Sequence, residues 1–291
     1  MITLFATTKN FTDIFKTIQL NALNSWRALS NDIQIIIFGD SVGSKEAAEE
    51  IGADFVPDVR CSSQGTPFLS DIFLQADKRA KFPIMAFINA DIILPNNFLE
   101  TIPIAQKRIH NFLMVGHRWD MDVKKNINFN DPKENKLFWE VAKKLSTRHE
   151  CTGIDYFIFN RGTFQNLPNL TIGRFGWDNW LLWKTRRMRI PLIDVSDGIF
   201  AIHQNHSYVF NKFKGKSDIL SGTESENNQQ ITKGNTLNIL DCTHEYFEGK
   251  IRRKTDKASR IRSLHRLPMI FPELAIPIKL YRRLYMMFNY S

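Results

Sequence analysis

The first hundred residues alternate short apolar runs with longer segments whose apolar residues recur at helical spacing. Residues 2–8 and 33–38 are the first two apolar runs, and residues 11–29 between them repeat apolar side chains every three to four positions. Further runs follow at 53–56 and 84–94. Strands that are apolar on both faces have to be covered on both sides. The alternation therefore predicts an α/β fold, with a mostly parallel central sheet and helices on both faces.

The second half of the chain is less regular. Its pattern predicts two helices and three or four strands, namely helices at 132–145 and 177–187 and strands at 112–115, 154–159 and within 192–202. From 214 to 236 the sequence turns to Lys, Ser, Asn, Gln and Gly, which is typical of a surface loop or linker. We therefore expect one large domain over 1–235 and a C-terminal extension over 236–291.

The positive charge of the chain is concentrated in that extension. The 291 residues hold 39 Lys and Arg against 30 Asp and Glu, a formal charge of +9. Residues 249–291 carry 11 of the basic groups and two of the acidic ones, so the remaining body is neutral. The charge therefore does not make the body a nucleic-acid binder, and no nucleic-acid partner is expected.

Two interpretations of the basic extension stay open. Residues 250–266 alternate basic and apolar positions, and 267–287 are rich in Ile, Leu, Pro, Met and Tyr. A basic amphipathic helix of this kind is suited to the surface of an anionic membrane. The alternative is a helical subdomain whose apolar side packs on the body.

The cysteines and the N-terminus indicate a cytoplasmic chain, in contact with a membrane at most through its extension. Cys61, Cys151 and Cys242 are widely spaced and odd in number, which fits neither a disulfide framework nor a zinc ribbon. The chain starts without the basic and small-residue pattern of a signal peptide. It also lacks the roughly 18–20 uncharged apolar residues that a membrane span needs.

Two polar residues interrupt the apolar run 84–94, in the triplet Asn89-Ala90-Asp91. Because burying an unpartnered carboxylate is costly, Asp91 should lie at the strand's C-terminal end, facing a crevice or a cation. A spacing of two would put Asn89 on the same face. A divalent cation bound to a diphosphate would accept a carboxylate oxygen there. The alternative is an Asp that caps the following loop and helix.

A second candidate is Asp178, in the segment Gly173-Arg174-Phe175-Gly176-Trp177-Asp178-Asn179-Trp180. It falls at the start of a predicted helix, where a carboxylate is favoured by the helix dipole. We interpret Asp178 as a general base for an acceptor hydroxyl, and Trp177 and Trp180 as surfaces on which a sugar ring stacks. The alternative is a capping residue flanked by core tryptophans.

Two further motifs follow predicted strands. In Ala201-Ile202-His203-Gln204-Asn205-His206, one imidazole would complete the coordination of a metal held by Asp91, with His203 slightly favoured over His206. In the second motif, residues 116–122, Arg118 would pair with a phosphate and Asp120 would hydrogen-bond sugar hydroxyls. A salt-bridged loop is an equal alternative for this second motif.

Taken in order, these segments resemble glycosyltransferases of the GT-A type, the nucleotide-diphospho-sugar transferase fold, and more narrowly a family of bacterial and viral glycosyltransferases. The likeness covers roughly residues 1–210, through Ile2-Thr3-Leu4-Phe5, Phe38-Gly39-Asp40, Gly65-Thr66-Pro67, Asn89-Ala90-Asp91-Ile92-Ile93-Leu94, Val115-Gly116-His117-Arg118-Trp119-Asp120, Gly153-Ile154-Asp155-Tyr156-Phe157, Ile172-Gly173-Arg174, Trp177-Asp178-Asn179-Trp180 and Ala201-Ile202-His203-Gln204-Asn205-His206.

The resemblance implies a function and roles for these residues. GT-A enzymes hold Mn²⁺ or Mg²⁺ against the donor diphosphate with an Asp-x-Asp, which here would be Asn89-Ala90-Asp91 with Asn in place of the first acid. His203 or His206 would complete the metal site, and Asp178 would be the base of an inverting transfer. The acceptor would be a hydroxyl of a glycan or lipid-linked molecule. A retaining enzyme stays open, because the sequence does not show on which face of the sugar Asp178 lies.

Other classes fit the sequence less well. A sugar-phosphate nucleotidylyltransferase needs a glycine-rich loop after the first strand, and Ala6-Thr7-Thr8-Lys9-Asn10 contains no glycine. A dinucleotide-dependent oxidoreductase fails for the same reason. A non-catalytic adaptor that binds membranes or polyanions through its extension stays open, because Asn89 leaves room for a transferase that has lost its metal.

Overall fold

A computed structural model of the chain describes residues 1–206 and 222–277. The described strands, β1 to β13, are Ile2–Thr7, Gln34–Phe38, Asp54–Val56, Ile84–Ile88, Ile92–Ile93, Leu113–Val115, Arg118–Met121, Thr147–Arg148, Tyr156–Asn160, Leu192–Asp194, Ala201–Gln204, His244–Phe247 and Lys250–Arg253. The described helices, α1 to α8, are Asp13–Arg27, Ser44–Glu50, Leu69–Arg79, Thr101–Gln106, Pro132–Leu145, Trp177–Arg187, Thr223–Thr232 and Lys257–Ile270. Short 3₁₀ turns lie at Phe98–Glu100, Ile239–Asp241 and Pro272–Leu274.

Nine of these strands form one sheet in the order β13-β12-β10-β6-β9-β4-β1-β2-β3. Strands β1 to β4 pair in parallel, as the helical segments between them require. Strand β9 runs antiparallel between β4 and β6, and β13 is antiparallel to β12. The predicted mostly parallel central sheet is thus confirmed.

The central sheet is apolar on both faces, and helices cover each face. In β1, Leu4 and Ala6 lie in one core cluster with Trp26 of α1, whereas Phe5 faces the other side and meets Phe73 of α3 edge-on, with ring centroids 5.2 Å apart. Burying one such side chain contributes about 1.5–3 kcal/mol. This two-sided burial explains why β1 is almost continuously apolar and confirms the predicted helices on both faces.

The apolar run 84–94 is divided between two sheets. Strand β4 ends at Ile88 in the central sheet, and β5 starts at Ile92 in a second sheet of order β5-β11-β7-β8. The backbone N–H of Ile92 donates to the carbonyl of Asn89 at 3.1 Å, which closes a turn between the two strands. The single strand predicted here was wrong, because the polar triplet turns the chain from one sheet into the other. Asn89 and Asp91 therefore do not share one strand face.

The first part of the predicted C-terminal extension continues the central sheet. Strand β12 pairs in parallel with β10, and β13 pairs antiparallel with β12. Residues 250–253, predicted as the start of a basic helix, are thus a strand, and the helix α8 begins at Lys257. Part of the predicted loop 214–236 is helix α7, and residues 214–221 of that loop lie outside the described residues.

Ion pairs attach the basic segment to the body. Lys254 donates to Asp194 at 3.0 Å, and Arg262 donates to both carboxylate oxygens of the buried Asp241, at 2.7 and 3.0 Å. Ile270, near the end of α8, is fully buried. For residues up to 277 the structure therefore agrees with the alternative in which this segment packs on the body, while 278–291 lie outside the described residues.

Among the described helices, none combines the length and the hydropathy that a membrane span requires.

Candidate active site

Three side chains that could bind a metal converge where the central sheet meets the second sheet. Asp91 lies in the turn after β4, His203 is in β11, and His206 follows that strand. Strand β11 pairs antiparallel with β5, and this register places His203 opposite Ile92, next to Asp91. The Asp91 carboxylate lies 3.1 Å from His206 Nε2 and 3.6 Å from His203 Nε2. The structure thus brings together the three predicted metal ligands.

The Asp91 carboxylate and the His203 imidazole stabilise each other's charged forms. Burial alone would raise the pKa of Asp91, but His203 and His206 outweigh it and hold that pKa well below its usual range. Burial alone would lower the pKa of His203, but Asp91 and Asp120 raise it to about 9. A metal ion bound here would therefore replace the proton of His203.

The donor atoms of the cluster fit a divalent cation. One carboxylate oxygen and two imidazole nitrogens lie within 4.8 Å of one another. The second oxygen of Asp91, Oδ1, is buried and accepts no hydrogen bond from the described part of the chain. Mg²⁺ prefers oxygen ligands in octahedral geometry, whereas imidazole nitrogen suits transition metals. Of the two ions expected from the resemblance, the cluster fits Mn²⁺ better than Mg²⁺.

A series of charged side chains, linked by ion pairs, contacts His203 at Nδ1, the ring nitrogen opposite the one that faces Asp91. Asp120 Oδ1 lies 3.0 Å from His203 Nδ1 and 3.1 Å from Arg118 Nε. Arg118 in turn donates from Nη1 to Asp155 at 2.8 Å, and the side chains of both residues are only 9% exposed. Asn89 donates its side-chain amide to the other oxygen of Asp155 at 2.6 Å.

This arrangement bears on the predicted donor contacts of Arg118 and Asp120. Both residues lie in strand β7 and not in a loop, and both side chains pair with protein charges. His149 also contacts Asp120, at 2.5 Å between Nδ1 and Oδ2. The described contacts agree with the salt-bridge alternative.

Asp178 lies in the first turn of α6, as predicted. It follows Gly176, whose φ of 79° makes the turn into the helix, and its Oδ1 accepts from the backbone N–H of Asn179 at 2.8 Å. The residue keeps a partly exposed surface, while its surroundings are mostly protein. Burial raises the pKa of Asp178 to about 7, and the charge of Asp155 adds to that rise. A carboxyl group with this pKa is suited to take up a proton near neutral pH.

The two tryptophans beside Asp178 are core residues. Trp177 and Trp180 are 4% and 6% exposed. The Trp177 ring meets Phe87 edge-on and tilts against Phe157, with centroids 5.4 Å apart in both pairs. Both rings belong to the apolar core and expose little surface on which the predicted sugar ring could stack. Their burial agrees with the alternative interpretation as core residues.

Lys9 was not predicted as a site residue, yet it lies beside the metal cluster. Its ammonium group is 4.4 Å from the centre of the Phe15 ring, which packs 5.1 Å from the His206 ring. Burial lowers the pKa of Lys9, and Asp91 acts in the opposite direction. Gln19 fixes the loop by bonding both the N–H and the carbonyl of Lys9, at 2.6 and 2.9 Å. The sequence showed only that this loop has no glycine.

Glu224 of α7 joins two turns that belong to the resemblance. Its Oε2 accepts from Arg174 Nε at 2.7 Å and from the Thr66 hydroxyl at 3.0 Å, and its Oε1 accepts from the Ser62 hydroxyl. Helix α7 is also held by Asn228, whose amide bonds the N–H and carbonyl of Thr171. No local signal indicated Glu224, because it lies in the segment predicted as a loop.

Comparisons with known proteins gave structural neighbours only. No family model and no curated protein matches the chain. Glucosyl-3-phosphoglycerate synthase from Mycobacterium tuberculosis, in complex with Mg²⁺ and uridine-diphosphate, is 16% identical with a TM-score of 0.47, over 88% of this chain and 87% of that one. The same enzyme with phosphoglyceric acid is 15% identical with a TM-score of 0.48, over 81% and 80%. TarS 1–349 of S. aureus is 12% identical with a TM-score of 0.34, over 43% of this chain and 37% of that one.

These neighbours are of the GT-A type, the class that the sequence resembles. Identities of 12 to 16% and TM-scores of 0.34 to 0.48 describe a likeness of fold alone. A function therefore has to be inferred from the site itself.

Proposed function

We propose that the chain is a glycosyltransferase that moves a sugar from a nucleotide-diphospho-sugar donor to a hydroxyl group of a glycan or lipid-linked acceptor. The observation that carries this proposal is the convergence of Asp91, His203 and His206 within 4.8 Å. The cluster lies just past the carboxyl end of β4, the edge of an α/β sheet where ligands bind. A divalent cation is the expected cofactor, with Mn²⁺ favoured by the two imidazoles.

Several polar and charged side chains contribute to donor binding, each in a different way. A cation held by Asp91, His203 and His206 would offset the negative charge that develops on the leaving nucleoside diphosphate. Lys9, electrostatically coupled to Asp91, adds a positive charge on this side of the site. Asp120 orients His203 from the other ring nitrogen. Asn89 and Arg118 act on the donor only indirectly, through Asp155.

Asp178 is the proposed base. As the acceptor oxygen attacks the anomeric carbon, the bond from that carbon to the diphosphate oxygen breaks, and the acceptor proton passes to the carboxylate of Asp178. A pKa of about 7 leaves enough carboxylate to accept the proton at neutral pH. We propose a single displacement, which inverts the configuration at the anomeric carbon.

Thermal unfolding with nucleotides, with and without Mn²⁺, tests this proposal. We expect a nucleoside diphosphate at about one hundred times its Kd to stabilise the protein by about 2.7 kcal/mol, and only when Mn²⁺ is present. For a chain of this size the shift in Tm should be several degrees. The panel should include UDP-glucose, the donor present in a structure of the M. tuberculosis synthase.

Each other outcome of this screen has a clear meaning. Equal stabilisation without Mn²⁺ would contradict the metal site. No stabilisation by any nucleotide would favour the non-catalytic adaptor. Stabilisation by a nucleoside triphosphate together with a sugar phosphate would favour the nucleotidylyltransferase.

We further infer a cytoplasmic protein that contacts an anionic membrane through its last residues. Lys250, Arg253, Lys257 and Arg260 are exposed, and they form no ion pair with the described residues. In the sequence, residues 278–291 are mostly apolar and contain three basic residues and no acidic one. Basic side chains near such a surface contribute about 1 kcal/mol each.

Neutralising Lys279, Arg282 and Arg283 as glutamines should therefore weaken binding to phosphatidylserine vesicles by about 100-fold. Co-sedimentation of the full chain with anionic and neutral vesicles measures this effect. The matched control replaces Lys136, Lys143 and Lys144, on the exposed side of α5, and should leave binding unchanged. Equal co-sedimentation of all three proteins would rule out this membrane contact.

A further inference from the structure

We propose that Asn89 and Asp155 form a matched pair that positions the metal cluster, so that a carboxylate at position 89 would weaken the metal site and not complete it. The inference rests on the proposed function, because it concerns the same cation. It runs against the expectation from the Asp-x-Asp pattern, in which an acid at position 89 would be a metal ligand. The two expectations predict opposite effects of one substitution.

Asn89 is directed at Asp155 by two hydrogen bonds. Its backbone N–H donates to the carbonyl of Asp155 at 2.9 Å, and its side-chain amide donates to the carboxylate Oδ1 at 2.6 Å. The backbone bond extends the antiparallel pairing of β4 with β9, in which Ile88 faces Tyr156. The carboxylate of Asp91, on the other side of the turn, contacts His206 Nε2 instead. Position 89 is therefore bound to the supporting charges and not to the ligand cluster.

A second carboxylate beside Asp155 would be unfavourable. Its Oδ1 accepts from Asn89 and its Oδ2 accepts from Arg118, so both oxygens already have a donor. A carboxylate in place of the amide would face Asp155 as a like charge at hydrogen-bond distance. The site is buried, where water screens such repulsion little. The amide of Asn89 is thus the group that this carboxylate requires.

The contacts of Asp155 continue to the metal cluster through charges of alternating sign. Arg118 bridges from Asp155 to Asp120, and Asp120 lies 3.0 Å from His203 Nδ1. The opposite nitrogen of the same ring faces Asp91. Groups that fix the free nitrogen of a metal-binding histidine set its orientation, and losing them typically lowers metal affinity 10- to 100-fold. Asp155 is accordingly a positioning residue.

A double-mutant cycle tests the pair on the full-length chain. Calorimetric titration with Mn²⁺ alone gives the Kd of the wild type, Asn89→Asp, Asp155→Asn and the double variant, and thermal unfolding is recorded for all four. We expect each single substitution to weaken Mn²⁺ binding by about 10- to 100-fold. The double variant should recover most of the loss, because the amide and the carboxylate have exchanged places. Asn10→Asp adds the same charge to the exposed loop beside Lys9 and should not weaken binding.

Tighter or unchanged Mn²⁺ binding by Asn89→Asp would overturn the inference, and so would a double variant no better than the single ones. Absence of Mn²⁺ binding by the wild type would instead contradict the proposed metal site. In that event thermal unfolding still decides the pair. Additive losses of Tm would refute the coupling, and recovery in the double variant would support it.

Discussion

Replacing Asp91 with alanine should reduce sugar transfer by roughly 10³-fold or more, and it should remove the stabilisation by Mn²⁺ with a nucleoside diphosphate. Asp91 is the one carboxylate of the proposed metal cluster, and its Oδ2 lies 3.6 Å from His203 Nε2 and 3.1 Å from His206 Nε2. A metal ion contributes several kcal/mol of charge stabilisation to such a reaction, and about 1.4 kcal/mol corresponds to a factor of ten in rate. Initial rates of transfer and the Mn²⁺-dependent shift in Tm measure the two effects.

Asp122 offers a matched control for this substitution. It directly follows β7, is exposed, and bonds only the side chain of Asn205 in the described structure. Asp122→Ala should therefore keep both transfer and the Mn²⁺-dependent shift. If Asp91→Ala retained full activity, the assignment of the metal site would be wrong.

Replacing Asp178 with asparagine should lower transfer by about 10²- to 10⁴-fold and leave the binding of Mn²⁺ and nucleoside diphosphate intact. The carboxylate is the reactive form of the base, so wild-type transfer should rise with pH and level off above about pH 7, the pKa of Asp178. The residual transfer of the variant should lack this rise. A variant as active as the wild type would remove Asp178 from the mechanism.

The same substitution should stabilise the fold at alkaline pH. Because the pKa of Asp178 is raised in the folded state, the folded protein favours the protonated carboxyl group more than the unfolded chain does. The wild type therefore loses stability as the pH rises from the ordinary carboxyl range through about 7, and the neutral amide of Asp178→Asn avoids that loss. Thermal unfolding at pH 5 and pH 8 should show a larger gain in Tm at pH 8, because at pH 5 only the first part of the loss has occurred. The exposed Asp197→Asn is the control and should change neither transfer nor Tm.

The sequence predicted the regular parts of the fold well, because the signals there are local. Helices α5 and α6 begin and end where the pattern placed them, with Pro132 at the first turn of one and Gly176 before the other. The apolar strands of the parallel sheet were recognisable because both of their faces are buried. Each of these signals depends on residues within one segment.

The parts that were missed depend on partners far away in the chain. Arg118 and Asp120 were interpreted as donor contacts or as part of a salt-bridged loop, since charged residues are unexpected in a buried strand until their partners are known. Asp155, which neutralises Arg118, lies 37 residues further on. The same holds for Glu224, whose partners Thr66 and Arg174 are 158 and 50 residues away. Compensation of this kind is a property of the folded chain and leaves no local pattern.

The position of β12 between β10 and β13 in the central sheet also has a consequence for synthesis. Strand β10 gains this neighbour only from residues 244–247, which are synthesised 50 residues after β10 ends at Asp194. Until then the nascent chain carries an open sheet edge, with unpaired N–H and carbonyl groups that other chains can join. Pairing of β12 thus ends the interval in which this side of β10 is open to aggregation in a growing chain.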